Sequence, residues 1–337
     1  MLDQNHIQVA IVVLVALTFD FTNGFHDTAN AIATSVSTHA LSPRIAVVLA
    51  SLMNFAGAFV TLKVAATIGS GVLDPKKVDI TLVMIIAALI GAIVWNLITW
   101  YFGLPSSSSH ALIGGLIGAG IVGLGFQAVS WDVVVSKMLI PLVASPLLGF
   151  AAAYIGMLLI YWIFRRARPR PVNRGFRMAQ ILSAAFVSFS HGTNDAQKTM
   201  GIITLALISG NFLDADEFAV PLWVVISAAS AMALGTYTGG WRIIKTMGTR
   251  LYKIEPAEGF DAQTVAATII QGASHLGFPV STTHVVTGSI LGAGSTQSLS
   301  AVRWGVGFNL FLAWLITAPM AALMAGIFYF VLHFFGT

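Results

Sequence analysis

The sequence predicts an all-α polytopic membrane protein: two inverted repeats of about five crossings each, with broken helices meeting at the membrane midplane. Three observations carry that expectation. Hydrophobic residues make up 57% of the 337-residue chain and charged residues only 9%, against about a quarter charged in soluble domains; mean hydropathy is +0.85. A set of ionisable and polar residues stands inside an apolar stretch twice, as DFTNGFHDTANA at Asp20 to Ala31 and SFSHGTNDAQKT at Ser188 to Thr199. Finally, GLPSSSSHALIGGLIGAG (Gly103 to Gly120) aligns without gaps to GFPVSTTHVVTGSILGAG (Gly277 to Gly294).

Composition also excludes several classes. With no cysteine there is neither a disulfide framework nor a thiolate metal site. The net charge of +4 comes mostly from Arg165 to Arg177 and forms no basic face for nucleic acid. The first apolar run, Ile7 to Phe19, lacks a basic flank and a small-residue cleavage site, so it reads as a retained helix.

Taken in order, Ile7 to Phe21 is apolar, is interrupted at Asn23 to Asp27, and resumes from Thr28 to about Ser37. A crossing needs about twenty apolar residues. Neither piece suffices alone and together they overshoot, so a discontinuous helix is expected. Ile45 to Val64 reads as an ordinary second span and Ile80 to Phe102 as a third, ending at Gly103-Leu104-Pro105. Ala111 to Phe126 is short and glycine-rich. Val133 to Phe164 is long for one crossing, with Pro141 and Pro146 to kink it. Arg165 to Arg177 is the expected linker between repeats at 1–164 and 178–337. The second repeat then follows: a broken segment from Arg177 to Leu207, a span at Val220 to Met247, an apolar run at Thr264 to Leu276, a glycine-rich segment to Gly294, and a final run at Val302 to Phe335. The lysine and arginine excess marks the cytoplasmic side. The arginine linker and the loop from Arg242 to Lys253 are therefore expected inside, and the acidic stretch Asp214 to Glu217 and both termini outside.

The Ser/Thr motif has a plain physical reading. Proline ends the preceding helix, and a serine or threonine caps the next one. Helix N-termini offer free N–H groups and partial positive charge to an anion. Ser107, Ser108 and Ser109 with Ser281, Thr282 and Thr283 are the candidate ligands of a tetrahedral oxyanion, helped by Asn30, Lys198 and Gln271. The bland alternative is ordinary hydroxyl contact between helices. The acidic motif needs another account, because buried carboxylates are costly unless paired and an anion site would not by itself recruit two. A coupling cation held by Asn23, His26, Asp27, His191, Asn194 and Asp195 supplies one. A structural pair of Asp195 with Lys198 competes for the second copy, but not for the first, where Asn30 replaces the lysine. No resident metal is assigned, although sodium could sit at Asp27, Asn194 and Asp195, and no cofactor is expected. His110 and His284 at matched positions, and His275, read equally well as core residues. Asp20, matched by Ser188, is expected at the outer mouth.

With these residues in view, the paired Gly-x-(Asn/His)-Asp motifs and Pro-(Val/Ser)-Ser-(Thr/Ser)-(Thr/Ser)-His resemble the inorganic phosphate transporter family over Asp20 to Pro319. The resemblance implies a multi-pass plasma (inner) membrane protein, often a homodimer, that imports inorganic phosphate by symport with a cation. It places the family signature on Gly24, His26, Asp27, Asn30 and on Gly192, Asn194, Asp195, Lys198. The sodium-coupled branch resembles Gly-Ala-Asn-Asp in both halves, whereas here the first reads Gly-Phe-His-Asp. That substitution favours protons over sodium, with phosphate carried free or as a neutral metal complex. Two other readings stay open on the residues alone: a sulfate permease of the same architecture, and an intramembrane Ser/His/Asp hydrolase.

Overall fold

The computed structural model describes residues 4–214 and 218–335. The first half of the chain forms α1 (Gln4–Ser37), α2 (Pro43–Gly57), α3 (Lys63–Gly71), α4 (Leu82–Phe102), α5 (Ser108–Leu124), the short α6 (Trp131–Val133) and α7 (Ile140–Phe164). The second forms α8 (Pro169–Ser209), α9 (Leu222–Thr238), α10 (Trp241–Lys245), α11 (Pro256–His275), α12 (Thr282–Ser295) and α13 (Trp304–Phe335). Among the described residues the β structure amounts to an isolated bridge between Leu73 and Val129.

Local chemistry sets the boundaries that matter for the site. Thr81 caps α4 by accepting from the Met84 N–H, and Gly103 ends it in the left-handed conformation at φ 66°. Gly277 does the same after α11 at φ 76°. Ser107 and Ser281 then cap α5 and α12, accepting from the N–H of His110 and His284 respectively. A capping box between Glu255 and Glu258 starts α11 earlier than hydropathy predicts. Pro141 follows a π-helical stretch, Val134–Leu139, that runs directly into α7.

The structure overturns part of the expected segmentation. Both polar motifs lie within unbroken helices: α1 runs through Asn23 to Asp27 for 34 residues, and α8 runs through His191 to Asp195 for 41. The glycines in these motifs serve close packing and do not interrupt the helix. Gly24 lies against the α9 backbone at Met232 and Gly235, and Gly192 against Asn54 of α2, so a Cβ at either would collide with main chain. At 1.5 Å per residue, α1 is about 51 Å long and outruns an apolar layer of about 30 Å. The breaks that do form are those expected ahead of the two Ser/Thr motifs, at 103–107 and 276–281. The expected second span also ends early, at Gly57, before a separate α3. Its counterpart α9 bends by 58° into the helix after it, at Gly239 with φ 74°. Helix α8 begins at Pro169, so most of the arginine linker is helical. Residues 215–217 of the acidic stretch lie outside the described residues.

The helix contacts have a regularity of their own. α1 packs on α9 and α8 on α2; α1 on α4 and α8 on α11; α5 on α13 and α12 on α7. Exchanging the halves maps each pair onto its counterpart. Gly118 lies against Ala322 of α13 and its aligned partner Gly292 against Phe150 of α7, both at backbone contact distance. Two apolar cores form on either side of the polar centre, one around α4, α5 and the N-terminal part of α1, the other around α11, α12 and its C-terminal part. The outside is apolar, with Leu147, Ile155, Trp162, Leu315, Leu323 and Phe330 all exposed. The interior holds the buried Asp, Asn, His and Lys residues. This inversion of the soluble arrangement is what a lipid solvent imposes. Among the described residues four helices are long and apolar enough to cross a membrane, and a fifth if α9 and α10 form one bent span. The chain is an integral membrane protein.

Candidate functional site

α1 and α8 bring their polar faces together with the N-termini of α5 and α12. On α1, the Asp27 carboxylate is 2% exposed. Its Oδ1 lies 2.7 Å from His26 Nδ1 and its Oδ2 accepts from the Ser108 hydroxyl at 2.8 Å. Thr283 donates to Asp27 Oδ1 at 3.5 Å, so both Ser/Thr motifs reach one carboxylate. The far nitrogen of His26 meets Thr99 at 3.1 Å and Ser106 at 3.3 Å. One turn on, the Asn30 amide donates to Thr283 at 2.9 Å and to Thr282 at 3.4 Å.

On α8, Lys198 is fully buried. Its ammonium donates to Asp195 Oδ1 at 2.6 Å and to Ser109 at 2.5 Å, and reaches the Val280 carbonyl at 3.5 Å. Ser109 itself donates to that carbonyl at 3.3 Å, which ties the start of α5 to the strap before α12. His191 bridges the two acids: its Nε2 lies 3.9 Å from Asp27 Oδ2 and 3.5 Å from Asp195 Oδ2. The result is a continuous run of ionisable groups, His26–Asp27–His191–Asp195–Lys198, drawn from both halves and walled by hydroxyls. Like-signed carboxylates this close are tolerable because cationic or protonatable groups stand between them.

Asp27, His191 and Asp195 each offer one ligand atom, all within 4.8 Å of one another. Most of their oxygens already face His26, Ser108 or Lys198, and a nitrogen sits in the middle. The donor set suits exchange of protons better than an all-oxygen cage for a hard cation.

Most of the residues singled out by sequence are therefore in one cluster: His26, Asp27, Asn30, Ser108, Ser109, His191, Asp195, Lys198, Thr282 and Thr283. Ser107 and Ser281 are beside it as caps, with their hydroxyls turned to the helix N-termini. Asn194 faces sideways, donating to Ser274 and the Phe278 carbonyl. Asn23 is fully buried one turn from Asp27. Gln271 is not brought in: it is half-buried and its amide meets His275 on its own helix, while Ser274 takes the inward position. His110 and His284 stack on one another, with ring centroids 5.1 Å apart, and His284 lies on Trp314. Asp20 is fully buried, which removes it from any outer mouth.

Sequence reasoning missed Asn54, whose Oδ1 lies 3.1 Å from His191 Nδ1 and whose amide donates to Thr236. It also missed Thr99, which stands behind His26 beside Ser106, the first serine of the Ser/Thr motif. An asparagine alone in the apolar run of α2 was the available signal. Thr99 had none, because a threonine in an apolar helix usually bonds its own backbone.

A profile of the phosphate transporter family matches residues 23–325. The chain is 50% identical over 326 residues to a protein of Mycobacterium tuberculosis (strain CDC 1551 / Oshkosh) named "probable low-affinity inorganic phosphate transporter", covering 97% of this chain and 78% of that one. Proteins of the same name are 48% identical in Bacillus subtilis (96% of both chains) and 50% identical in Rhizobium meliloti (95% of both). Among solved structures, a sodium-dependent phosphate transporter superposes with a TM-score of 0.90 at 25% identity, over 98% of this chain and 100% of that one.

Proposed function

This chain belongs to the phosphate transporter family, and on that premise we propose that it imports inorganic phosphate by symport with a cation, protons being favoured over sodium. Family and relatives are transporters and not enzymes, which sets the hydrolase reading aside.

One observation carries the proposal: the hydroxyls of both Ser/Thr motifs converge on the acidic motif of α1 and on Lys198 of α8. Ser108, Ser109, Thr282 and Thr283, with Asn30 and Lys198, present hydroxyl, amide and ammonium donors from two helix N-termini. These are the groups that wrap a tetrahedral oxyanion. The same hydroxyls now satisfy Asp27 and Asn30, so they are held in place and need only turn toward a phosphate oxygen. Ser107 and Ser281 hold the N-termini that face the anion.

Coupling follows from charge. A carboxylate about 4 Å from an anionic oxygen is opposed by ~4 kcal/mol at an effective dielectric near 20. Phosphate therefore binds well only when Asp27 or Asp195 is neutralised, and each ligand raises the other's affinity by the same factor. The imidazoles of His26 and His191, a side-chain type suited to proton exchange, support the proton as that companion. Sodium is the rival, supported by the likeness to a sodium-dependent phosphate transporter. The self-mapping helix contacts support two halves related as inverted repeats of about five crossings each, able to exchange conformations around the site. A cytoplasmic arginine linker, exterior termini and a homodimer complete the reading.

Uptake of labelled phosphate into proteoliposomes, with proton and sodium gradients imposed one at a time, tests it. A pH gradient alone should drive accumulation. Accumulation driven by sodium alone overturns the proton preference, and displacement by equal sulfate overturns phosphate as the substrate. Adding and withholding magnesium separates free phosphate from a metal complex. Since the chain has no cysteine, single cysteines in the linker and near the N-terminus, probed with an impermeant maleimide, test the orientation.

A further inference from the structure

Asp20 lies seven residues before Asp27, two turns away on the same face of α1, and the coupling scheme leaves it without a role. It is fully buried, and neither carboxylate oxygen accepts a hydrogen bond among the described residues. Asn23, between the two acids, is also fully buried with both amide atoms open. Across the interface on α8, Thr199 stands near Asp20 with Asp195 and Lys198, but the Thr199 hydroxyl falls outside hydrogen-bonding geometry. Asp195 Oδ2 likewise accepts no hydrogen bond, its neighbour His191 Nε2 being 3.5 Å away. Four side chains, each fully buried, thus leave polar atoms open in one region, and all four offer oxygen.

The charges there do not balance. Two carboxylates, Asp20 and Asp195, share one lysine, Lys198, whose ammonium is already bound to Asp195 and Ser109. Of the other helices packed on α1, α4 and α9 contain no charged residue, and α2 carries only Arg44 in its first turn. An ionised carboxylate cannot stay buried without a companion. The partner in the repeat explains nothing, because Ser188 merely bonds back to the Ala184 carbonyl at 2.6 Å. The device exists once and not twice.

We propose that Asp20, with Asn23 and Thr199, forms a second cation position beside the His26–Asp27–His191–Asp195–Lys198 run, taking one monovalent cation, a proton or sodium, in each transport cycle. This rests on the symport reading and adds one positive charge per phosphate carried.

Coupling number is the readout that tests it, because it is independent of turnover rate. Phosphate accumulation at static head is measured in proteoliposomes against a graded pH gradient and, separately, a graded sodium gradient. The slope of log accumulation against log gradient gives the cations moved per phosphate. In Asp20→Asn the slope should fall by one cation relative to the starting protein, in the pH arm if the companion is a proton and in the sodium arm if it is sodium. Asp20→Glu should restore it. Unchanged slopes in both arms, with the starting protein coupled, would overturn the second position and leave symport intact. A starting protein with zero slope in both arms would sink the symport reading itself. Should Asp20→Asn fail to insert, Thr199→Val serves: it should weaken the apparent affinity for that cation several-fold, and an unchanged affinity counts against the proposal.

Discussion

The two copies of the acidic motif hold their carboxylates by different means. Asp27 of α1 is held by a histidine and by hydroxyls from both Ser/Thr motifs. Asp195 of α8 is held by a buried ammonium at 2.6 Å. At the aligned place where α8 has Lys198, α1 has Asn30, and where α8 has Asn194, α1 has His26. One copy is therefore paired with a buried ammonium, and the other with an imidazole, the side-chain type suited to proton exchange. The repeated motif thus carries two different chemistries, which on the proposed function read as an anchor on α8 and a switch on α1.

The largest test of that contrast is Lys198→Met, which keeps volume and removes the charge. It strands a fully buried carboxylate and should cost about 3–5 kcal/mol of stability. The double variant Asp195→Asn with Lys198→Met should recover most of that loss. Asn30→Leu at the matched place should cost less, about 1–3 kcal/mol, because it leaves only neutral hydroxyls unpaired. Thermal unfolding in detergent orders the three, and equal losses would erase the anchor-and-switch distinction. Next in size, Asp27→Asn should uncouple transport, lowering accumulation about tenfold or more, a difference of at least ~1.4 kcal/mol. Full accumulation in this variant would remove Asp27 from coupling. Smaller again, His26→Asn gives the first motif the Asn-Asp pair of the second. Initial uptake rates across external pH should flatten while phosphate is still carried. An unaltered profile would place the switch elsewhere, with His191 the next residue to examine.

Much of this was legible in the sequence, for a physical reason. Burying Asp27, Asp195 and Lys198 in an apolar chain is expensive enough to leave a visible mark, and the Pro-Ser-Ser/Thr pattern dictates helix starts through local capping alone. Most of the members of the cluster could therefore be named from residue types and spacing. The continuity of α1 and α8 through their polar motifs could not. A glycine amid polar residues reads as an interruption, but Gly24 and Gly192 are glycine because another helix backbone touches them, and that contact is nonlocal. Asn54, Thr99 and Gln271 failed for the same reason, since which face of a helix meets the site depends on packing. The burial of Asp20 was equally hidden: matched only by Ser188, it was expected at the outer mouth, whereas the structure puts it in the interior.

The smallest predicted difference bears on whether the N-termini of α5 and α12, proposed to face the anion, are equivalent. Ser107 and Ser281 each accept from the backbone N–H three residues on, at 3.3 Å in both. Ser107 also meets the ring of its own histidine, with His110 Nδ1 at 2.5 Å, whereas the His284 ring lies on Trp314 at 4.0 Å between centroids. Removing a cap costs ~1 kcal/mol, and a further hydrogen bond adds about 0.5–1.5 kcal/mol. Ser281→Ala should therefore lose the smaller amount and Ser107→Ala roughly twice as much, read from unfolding midpoints of the two variants side by side. On the proposed function the same pair should differ in phosphate affinity in the same order, because the cap fixes the N–H groups and the adjacent Ser108 and Thr282 hydroxyls proposed to bind the anion. Matched losses in both measurements would mean that the His110 bond contributes nothing, and that the copies diverge only in their acidic motifs.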